Sequence, residues 1–254
     1  MVQWFDDISE DHAEWIKKQK IFFVATAPLD GRGTVNCSPK GHDSLRVLSR
    51  TQICYLELSG SGIETQSHLE ENGRITVMLM AVEGGPRIMR LLGTGRVVRV
   101  DSPEYNKLMK EQFSDSDIYE ASGKRGIIMI DVRRVGTSCG YAVPYYDYRG
   151  QRDVLVKAFS KRDEETVKEY WKTKNAFSLD GLPGMRHAIL GPEWEGKNRG
   201  PGEAIVLPER APASSFGAFA EWMTAGTGVA NVSILAAGVA IGVAISQYAA
   251  GRRR

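Results

Sequence analysis

The chain has 254 residues, of which 42% are hydrophobic and 25% charged, so it can bury a sizeable core. The formal net charge of +2 argues against nucleic acid as a partner, since nucleic-acid-binding proteins usually carry a clustered basic surface. The three cysteines, Cys37, Cys54 and Cys139, match neither a disulfide framework nor a zinc pattern. No secretory signal is expected, because the N-terminus lacks a basic region followed by an apolar one.

Short apolar stretches separated by turn residues, such as Asp30 and Gly31, predict a series of β-strands. The strands are expected at residues 21–27, 34–37, 52–58, 74–82, 87–100 and 126–135. Helices are expected at residues 9–20 after a capping Ser9, at 63–72, from Pro103 after a capping Ser102, and at 160–174. Because few helices separate the strands, the pattern favours an antiparallel barrel with helices at its rim, in the α+β class.

Residues 59–62, Ser-Gly-Ser-Gly, lie between a predicted strand and a predicted helix. Glycines let a ligand approach the backbone, successive N–H groups can point at an anion, and the helix N-terminus adds partial positive charge. The hydroxyl groups of Ser59, Ser61 and Thr65 complete a set of donors that suits a phosphate monoester. Taken alone, the motif is also typical of a plain turn, and the order of the surrounding elements favours the phosphate site.

That order resembles the pyridoxamine-phosphate-oxidase-like family of FMN-binding split barrels over about residues 8 to 135. The segments that carry the resemblance are 23–27, 30–31, 35–41, 60–65, 68–78, 87–91 and 93–96. The later segments 139–144, with Tyr148, and 180–184 are similar to a subgroup of the family. Each motif is modest by itself, and it is their order along the chain that makes the resemblance.

The resemblance implies a homodimer that binds FMN at the interface between its subunits. The residues that match the strand along which the isoalloxazine lies are Asn36, Cys37, Ser38 and Lys40. The residues that match the phosphate-binding loop are Ser59, Ser61, Gly62 and Thr65. A further contact with the cofactor is expected from the facing strands, through Arg87 or Arg90.

The chain departs from the family in the phosphate loop. Many members place a lysine or arginine at about the positions of Glu64 and Thr65, where this chain has an acidic and a neutral residue. Because a carboxylate repels a phosphate at short range, either Glu64 points outward or a nearby cation compensates it, from among Lys40, Arg74 and Arg90. The substrate-binding residues of true pyridoxamine phosphate oxidases are not found near the C-terminus, so oxidation of vitamin B6 is not implied.

The C-terminal part has a different composition. Residues 223–251 contain no Asp, Glu, Lys or Arg, and three arginines follow them. Such a segment can span a bilayer, which takes about 20 mostly apolar residues, although a buried core helix is the alternative. We therefore expect a split-barrel domain at residues 1–150, an extension of the same domain at 151–204, a Pro-rich linker at 205–222, and a single hydrophobic helix at 223–251 that anchors a cytosolic domain in a membrane.

No metal site is expected, because none of the histidines has metal-ligand spacing with an acidic partner. His42 could face a cofactor or lie in a surface loop, and the tyrosines at 141, 145, 146 and 148 could cover a flavin or pack in a core or interface. No catalytic residue is assigned, because a flavin itself transfers the electrons.

The first hypothesis for the function is an FMN-dependent oxidoreductase that acts on a small-molecule substrate. The alternatives are a flavin- or haem-binding protein without turnover, and a cofactor-free interaction module at a membrane.

Overall fold

The computed structural model describes residues 2–100 and 102–185, which form eight strands and five helices. The strands are β1 (Gln3–Phe5), β2 (Phe22–Thr26), β3 (Asn36–Lys40), β4 (Leu45–Ser49), β5 (Gln52–Leu58), β6 (Arg74–Met80), β7 (Ile88–Arg99) and β8 (Lys124–Ser138). The helices are α1 (Glu10–Lys18), α2 (Glu64–Asn72), α3 (Pro103–Gln112), α4 (Val154–Ser160) and α5 (Glu164–Lys174). Within these described residues, no helix has both the length and the apolar character of a membrane span. The predicted linker and hydrophobic helix lie outside them.

The eight strands belong to one antiparallel sheet with the order β3-β2-β6-β7-β8-β5-β4, in which β1 also pairs with β8. The two long strands β7 and β8 pair from Ile88 opposite Ser138 to Arg99 opposite Gly126. The other side of β8 pairs with β5 near its start and with β1 near its end. An antiparallel sheet with accompanying helices is the predicted α+β class, and it is consistent with the predicted split barrel.

The core follows the alternation of side chains along the strands. On β2, every second side chain is fully buried, as expected for a strand with one face on the core. The centre of β8 is buried on both faces, because Ile128 and Ile130 pack in one hydrophobic cluster while Ile127 and Met129 pack in another. The second cluster includes Phe113 and covers the sheet with α3. This double burial explains why the middle of β8 is a continuous apolar run.

The predicted helix caps are confirmed. At the start of α1, Oγ of Ser9 accepts a hydrogen bond from the backbone N–H of His12 at 3.2 Å. At the start of α3, Oγ of Ser102 accepts one from the N–H of Tyr105 at 3.1 Å. Each cap satisfies a backbone donor that has no partner within its own helix, so the first turn begins at the predicted residue.

Other boundaries differ from the prediction for local reasons. The helix expected at 160–174 begins at Glu164, because Asp163 caps it by accepting from the N–H of Thr166 at 2.8 Å, and the separate helix α4 precedes it. The strand expected at 34–37 lies at Asn36–Lys40 and includes Pro39. A proline is tolerated there because β3 is the last strand at its end of the described sheet. The short strands β1 and β4 do not follow from the sequence pattern.

The first prediction concerns Gly93, which lies at the register shift between β7 and β8. A β-carbon on Gly93 would overlap the backbone carbonyl of Asp131, which cannot move without disturbing the strand pairing. We expect Gly93→Ala to lower the free energy of unfolding by about 1–3 kcal/mol, measured by urea denaturation. Gly31→Ala is the matched control, because a β-carbon there meets no atom within 4 Å. Equal stability of the two variants would contradict this packing.

Candidate functional site

A pocket of about 270 Å³ opens between β3, β5 and the N-terminal end of α2. The predicted residues that line it are Asn36, Ser38, Lys40, Ser59, Gly62 and Thr65. The lining also includes His42, for which the sequence left a cofactor contact open, and Glu64 of the predicted phosphate loop. Arg125 and Leu155 line it as well, and neither of them has a role in the site predicted from the sequence. The structure therefore brings the second-strand residues and the Gly/Ser loop together around one cavity.

Two other residues of the predicted cofactor site, Cys37 and Ser61, do not line the pocket. Cys37 is exposed, because alternation along β3 turns its side chain away from the face that carries Asn36 and Ser38. Ser61 is exposed at the tip of the loop. The side-chain contacts expected from the resemblance at these two positions are therefore not made by the walls of this cavity.

Arg87 and Arg90, which are expected to contact the cofactor from the facing strands, do not line this pocket. The guanidinium of Arg87 lies over the ring of Trp15, at 5.7 Å from the ring centroid. Arg90 lies on β7, and Arg74 donates a hydrogen bond to the backbone carbonyl of Pro28 at 2.9 Å. Of the cations proposed to compensate a carboxylate in the phosphate loop, Lys40 is the one that lines the pocket.

A buried ion pair lies behind the pocket. Nε of Arg125 on β8 lies 3.1 Å from Oε2 of Glu57 on β5, and both side chains are almost fully buried. Nε2 of Gln66 donates to the same carboxylate at 2.8 Å, and Nζ of Lys40 lies 3.5 Å from its other oxygen. Burial by itself would raise the pKa of Glu57, but Arg125 and Lys40 outweigh it and lower the pKa to about 2. Burial lowers the pKa of Lys40, and the charge of Glu57 opposes that shift.

Arg125 also fixes the Gly/Ser loop. Its Nη1 donates to the carbonyl of Gly62 at 2.6 Å and to the carbonyl of Gly60 at 3.3 Å. Nδ2 of Asn175, directly after α5, donates to the carbonyl of Gly60 at 2.9 Å. The loop therefore holds its conformation through donors that lie far away in the sequence, and its carbonyls are turned toward those donors.

The segment after β8 contributes to the same site. Nε1 of Trp171 on α5 donates to Oγ of Ser59 at 2.7 Å, and this hydroxyl donates to the carbonyl of Gly123 at 2.6 Å. Leu155 of α4 lines the pocket. Sequence reasoning missed Trp171, Asn175 and Arg125 as site residues. The signal available for Arg125 was a charged residue at the head of an otherwise apolar strand.

A chain of polar side chains runs from the pocket into the core. Oγ of Ser38 donates to Oδ1 of Asn36 at 2.8 Å, and Nδ2 of Asn36 donates to the hydroxyls of Thr26 at 3.1 Å and Thr65 at 3.0 Å. The hydroxyl of Thr26 lies 2.9 Å from Nδ1 of His68, which is fully buried. Burial lowers the pKa of His68, so its ring is neutral at pH 7. These contacts fix the amide orientation of Asn36.

The fold is an antiparallel sheet with accompanying helices, and its pocket lies at the start of a helix. The family model of pyridoxamine 5'-phosphate oxidase matches residues 8–139. The pyridoxamine 5'-phosphate oxidase family protein ustO of Aspergillus flavus is 36% identical over 201 residues, which cover 73% of this chain and 79% of that protein. The chain belongs to the pyridoxamine 5'-phosphate oxidase family, as its resemblance indicated.

The chain also has a low-identity likeness to several solved structures. HupZ from Group A Streptococcus is 22% identical with a TM-score of 0.39, over 50% of this chain and 91% of that chain. The heme storage protein HutZ from Vibrio cholerae is 14% identical with a TM-score of 0.38, over 52% and 94%. A FAD-binding protein from Mesorhizobium loti is 12% identical with a TM-score of 0.35, over 54% and 97%. None of these likenesses bears on what this chain binds.

The second prediction concerns the buried ion pair. Because the pKa of Glu57 is about 2 in the folded chain and ordinarily 4.5, its stabilisation is complete above about pH 4.5 and is lost as the pH falls toward 2. Urea denaturation across this range should therefore show that the free energy of unfolding falls less with decreasing pH for Glu57→Gln than for the unchanged chain.

At pH 7, Arg125→Met should lower the free energy of unfolding by about 3–5 kcal/mol, because it leaves a buried carboxylate without its cation.

The control for this prediction is Arg50→Met, which removes an exposed arginine paired with Asp7. An exposed pair contributes about 0–1 kcal/mol. If Arg125→Met were no more destabilising than Arg50→Met, the buried pair would not support the pocket.

Proposed function

We propose that this protein binds FMN in the pocket described above and acts as an oxidoreductase on a small-molecule substrate. The observation that carries the proposal is the convergence of Lys40, Arg125 and the N-terminal end of α2 on the Gly/Ser loop. Helix α2 begins without a hydrogen bond from a side-chain cap, so its first backbone N–H groups are available to an anionic ligand. Membership of the pyridoxamine 5'-phosphate oxidase family supports the same cofactor.

The donors of the pocket fit a phosphate monoester. Lys40 offers an ammonium group and Thr65 offers a hydroxyl, while the hydroxyl proton of Ser38 is donated to Asn36. The carbonyls of Gly60 and Gly62 accept from Arg125, which keeps these acceptors engaged away from an anion. The phosphate of FMN would therefore lie at the loop, where backbone and side-chain donors are concentrated.

FMN, when bound, supplies the hydride or electron transfer, and the chain binds and orients it. On β3, Asn36 and Ser38 line the pocket and so offer polar contacts to the ring. Nδ2 of Asn36 donates to Thr26 and Thr65, and its Oδ1, which accepts from Oγ of Ser38, has a second lone pair that can accept from a ligand N–H. A flavin ring that donates an N–H to this oxygen would therefore be oriented along β3.

A homodimer is part of the proposal. Tyr141, Tyr145 and Tyr146 are 83%, 78% and 61% exposed, and tyrosine is enriched in protein–protein interfaces. Val35, 71% exposed next to β3, adds apolar surface near the pocket. A partner subunit that covers these residues would bury apolar surface and enclose a cofactor between the two copies.

The third prediction tests FMN binding. The purified full chain, titrated with FMN, should gain flavin absorption bands near about 375 and 450 nm that remain with the protein on gel filtration. Lys40→Met should weaken FMN binding by at least about tenfold, because it removes a cation from the pocket. Lys107→Met, an exposed change on α3, is the matched control and should bind as the unchanged chain does.

Two further measurements separate the alternatives. Turnover of NADPH with an electron acceptor would distinguish an oxidoreductase from a carrier that binds flavin without reaction. A colourless chain that does not respond to added FMN would overturn the flavin proposal and favour the cofactor-free interaction module.

The fourth prediction tests membrane attachment, which we propose from the composition of residues 223–251. The full chain should remain with membranes after carbonate extraction, and a chain that ends at Ala220 should be recovered in the supernatant. Recovery of both chains in the supernatant would refute the anchor.

A further inference from the structure

Glu64, the first residue of α2, lines the pocket. Its Oε1 accepts a hydrogen bond from the backbone N–H of Leu179 at 3.2 Å. Its Oε2 packs so closely over Gly62 that a β-carbon on that glycine would overlap it. The Glu64 side chain therefore folds back over the Gly/Ser loop and is held there by the segment that follows α5.

The charges around the pocket nearly cancel. Lys40 and Arg125 are cations, and the buried carboxylate of Glu57 lies next to both of them. Glu57 thus offsets one of the two positive charges, and Glu64 offsets the other. A phosphate monoester carries about −1.5 to −2 charges at pH 7, so it enters a pocket with no net charge to balance it.

We infer that Glu64 is a specificity-determining residue, which weakens the binding of a phosphate dianion in this pocket relative to the same ligand without its phosphate. It acts in two ways. Its charge repels the phosphate, and its position over Gly62 covers loop backbone that the phosphate would otherwise approach. The phosphate can approach that backbone only when the Glu64 side chain moves off Gly62.

This inference rests on the proposed function, since it concerns the affinity of the same pocket for flavins. Riboflavin and FMN share the isoalloxazine and the ribityl chain and differ by the phosphate. The ratio of their dissociation constants therefore isolates the part of binding that the phosphate contributes. A residue that acts on the phosphate alone changes this ratio, whereas a residue that supports the fold changes both affinities together.

The test is a fluorescence titration of the full chain with FMN and with riboflavin. Glu64→Gln retains an oxygen that can accept from Leu179 but removes the charge, and Glu64→Ala removes both the charge and the cover over Gly62. We expect Glu64→Gln to tighten FMN binding by at least about tenfold, Glu64→Ala to tighten it further, and riboflavin affinity to stay unchanged. The matched control is Glu111→Gln, an exposed carboxylate on α3 outside the pocket lining.

The outcomes separate this inference from the function on which it rests. If the chain binds flavins but Glu64→Gln leaves the ratio of FMN to riboflavin affinity unchanged, the inference is overturned and the flavin proposal stands. If FMN and riboflavin affinities rise or fall together in both Glu64 variants, the residue acts on the fold, and the inference is again overturned. If neither flavin binds the unchanged chain or any variant, both proposals fail.

Discussion

The described site depends on the hydrogen bonds and the ion pair made by the guanidinium of Arg125. It lies on β8, but its hydrogen bonds reach the carboxylate of Glu57 on β5 and the carbonyls of Gly60 and Gly62 in the next loop. Without this cation, Glu57 would be a buried charge with Lys40 as its remaining neighbour of opposite charge, and the loop would lose donors for two carbonyls. One buried side chain thus couples the pairing of β5 with β8 to the shape of the ligand pocket.

The part of the chain after β8 completes this arrangement through further contacts with the loop. Trp171 and Phe159 pack with Ile63, the residue before α2, in a small hydrophobic cluster, while the indole N–H of Trp171 holds Ser59. The loop is therefore fixed by β8 on one side and by α5 on the other. The family model ends at residue 139, whereas the described site uses residues up to Leu179. In this chain, the extension is an integral part of the pocket.

The sequence predicted the elements whose signals are local. Strand alternation and the capping residues Ser9 and Ser102 need only a few neighbouring residues to be recognised, and the corresponding strands and helices are present within a few residues of their expected positions. The short strands β1 and β4 owe their existence to their partners β8 and β5, so no local pattern marks them. Within the site, the contiguous loop was predictable, whereas Trp171 and Asn175 reach it across more than a hundred residues.

Glu64 illustrates how tertiary structure decides between alternatives that a sequence leaves open. An acidic residue at the first position of a helix is favourable to the helix itself, because it interacts with the partial positive charge of the N-terminus. The same position faces the pocket, so the carboxylate that favours the start of the helix also lies where it repels an anionic ligand. Because Lys40 and Arg125 already neighbour Glu57, the local charge balance leaves little attraction for a second anion. What stabilises the start of α2 therefore also limits which ligands can occupy the pocket beside it.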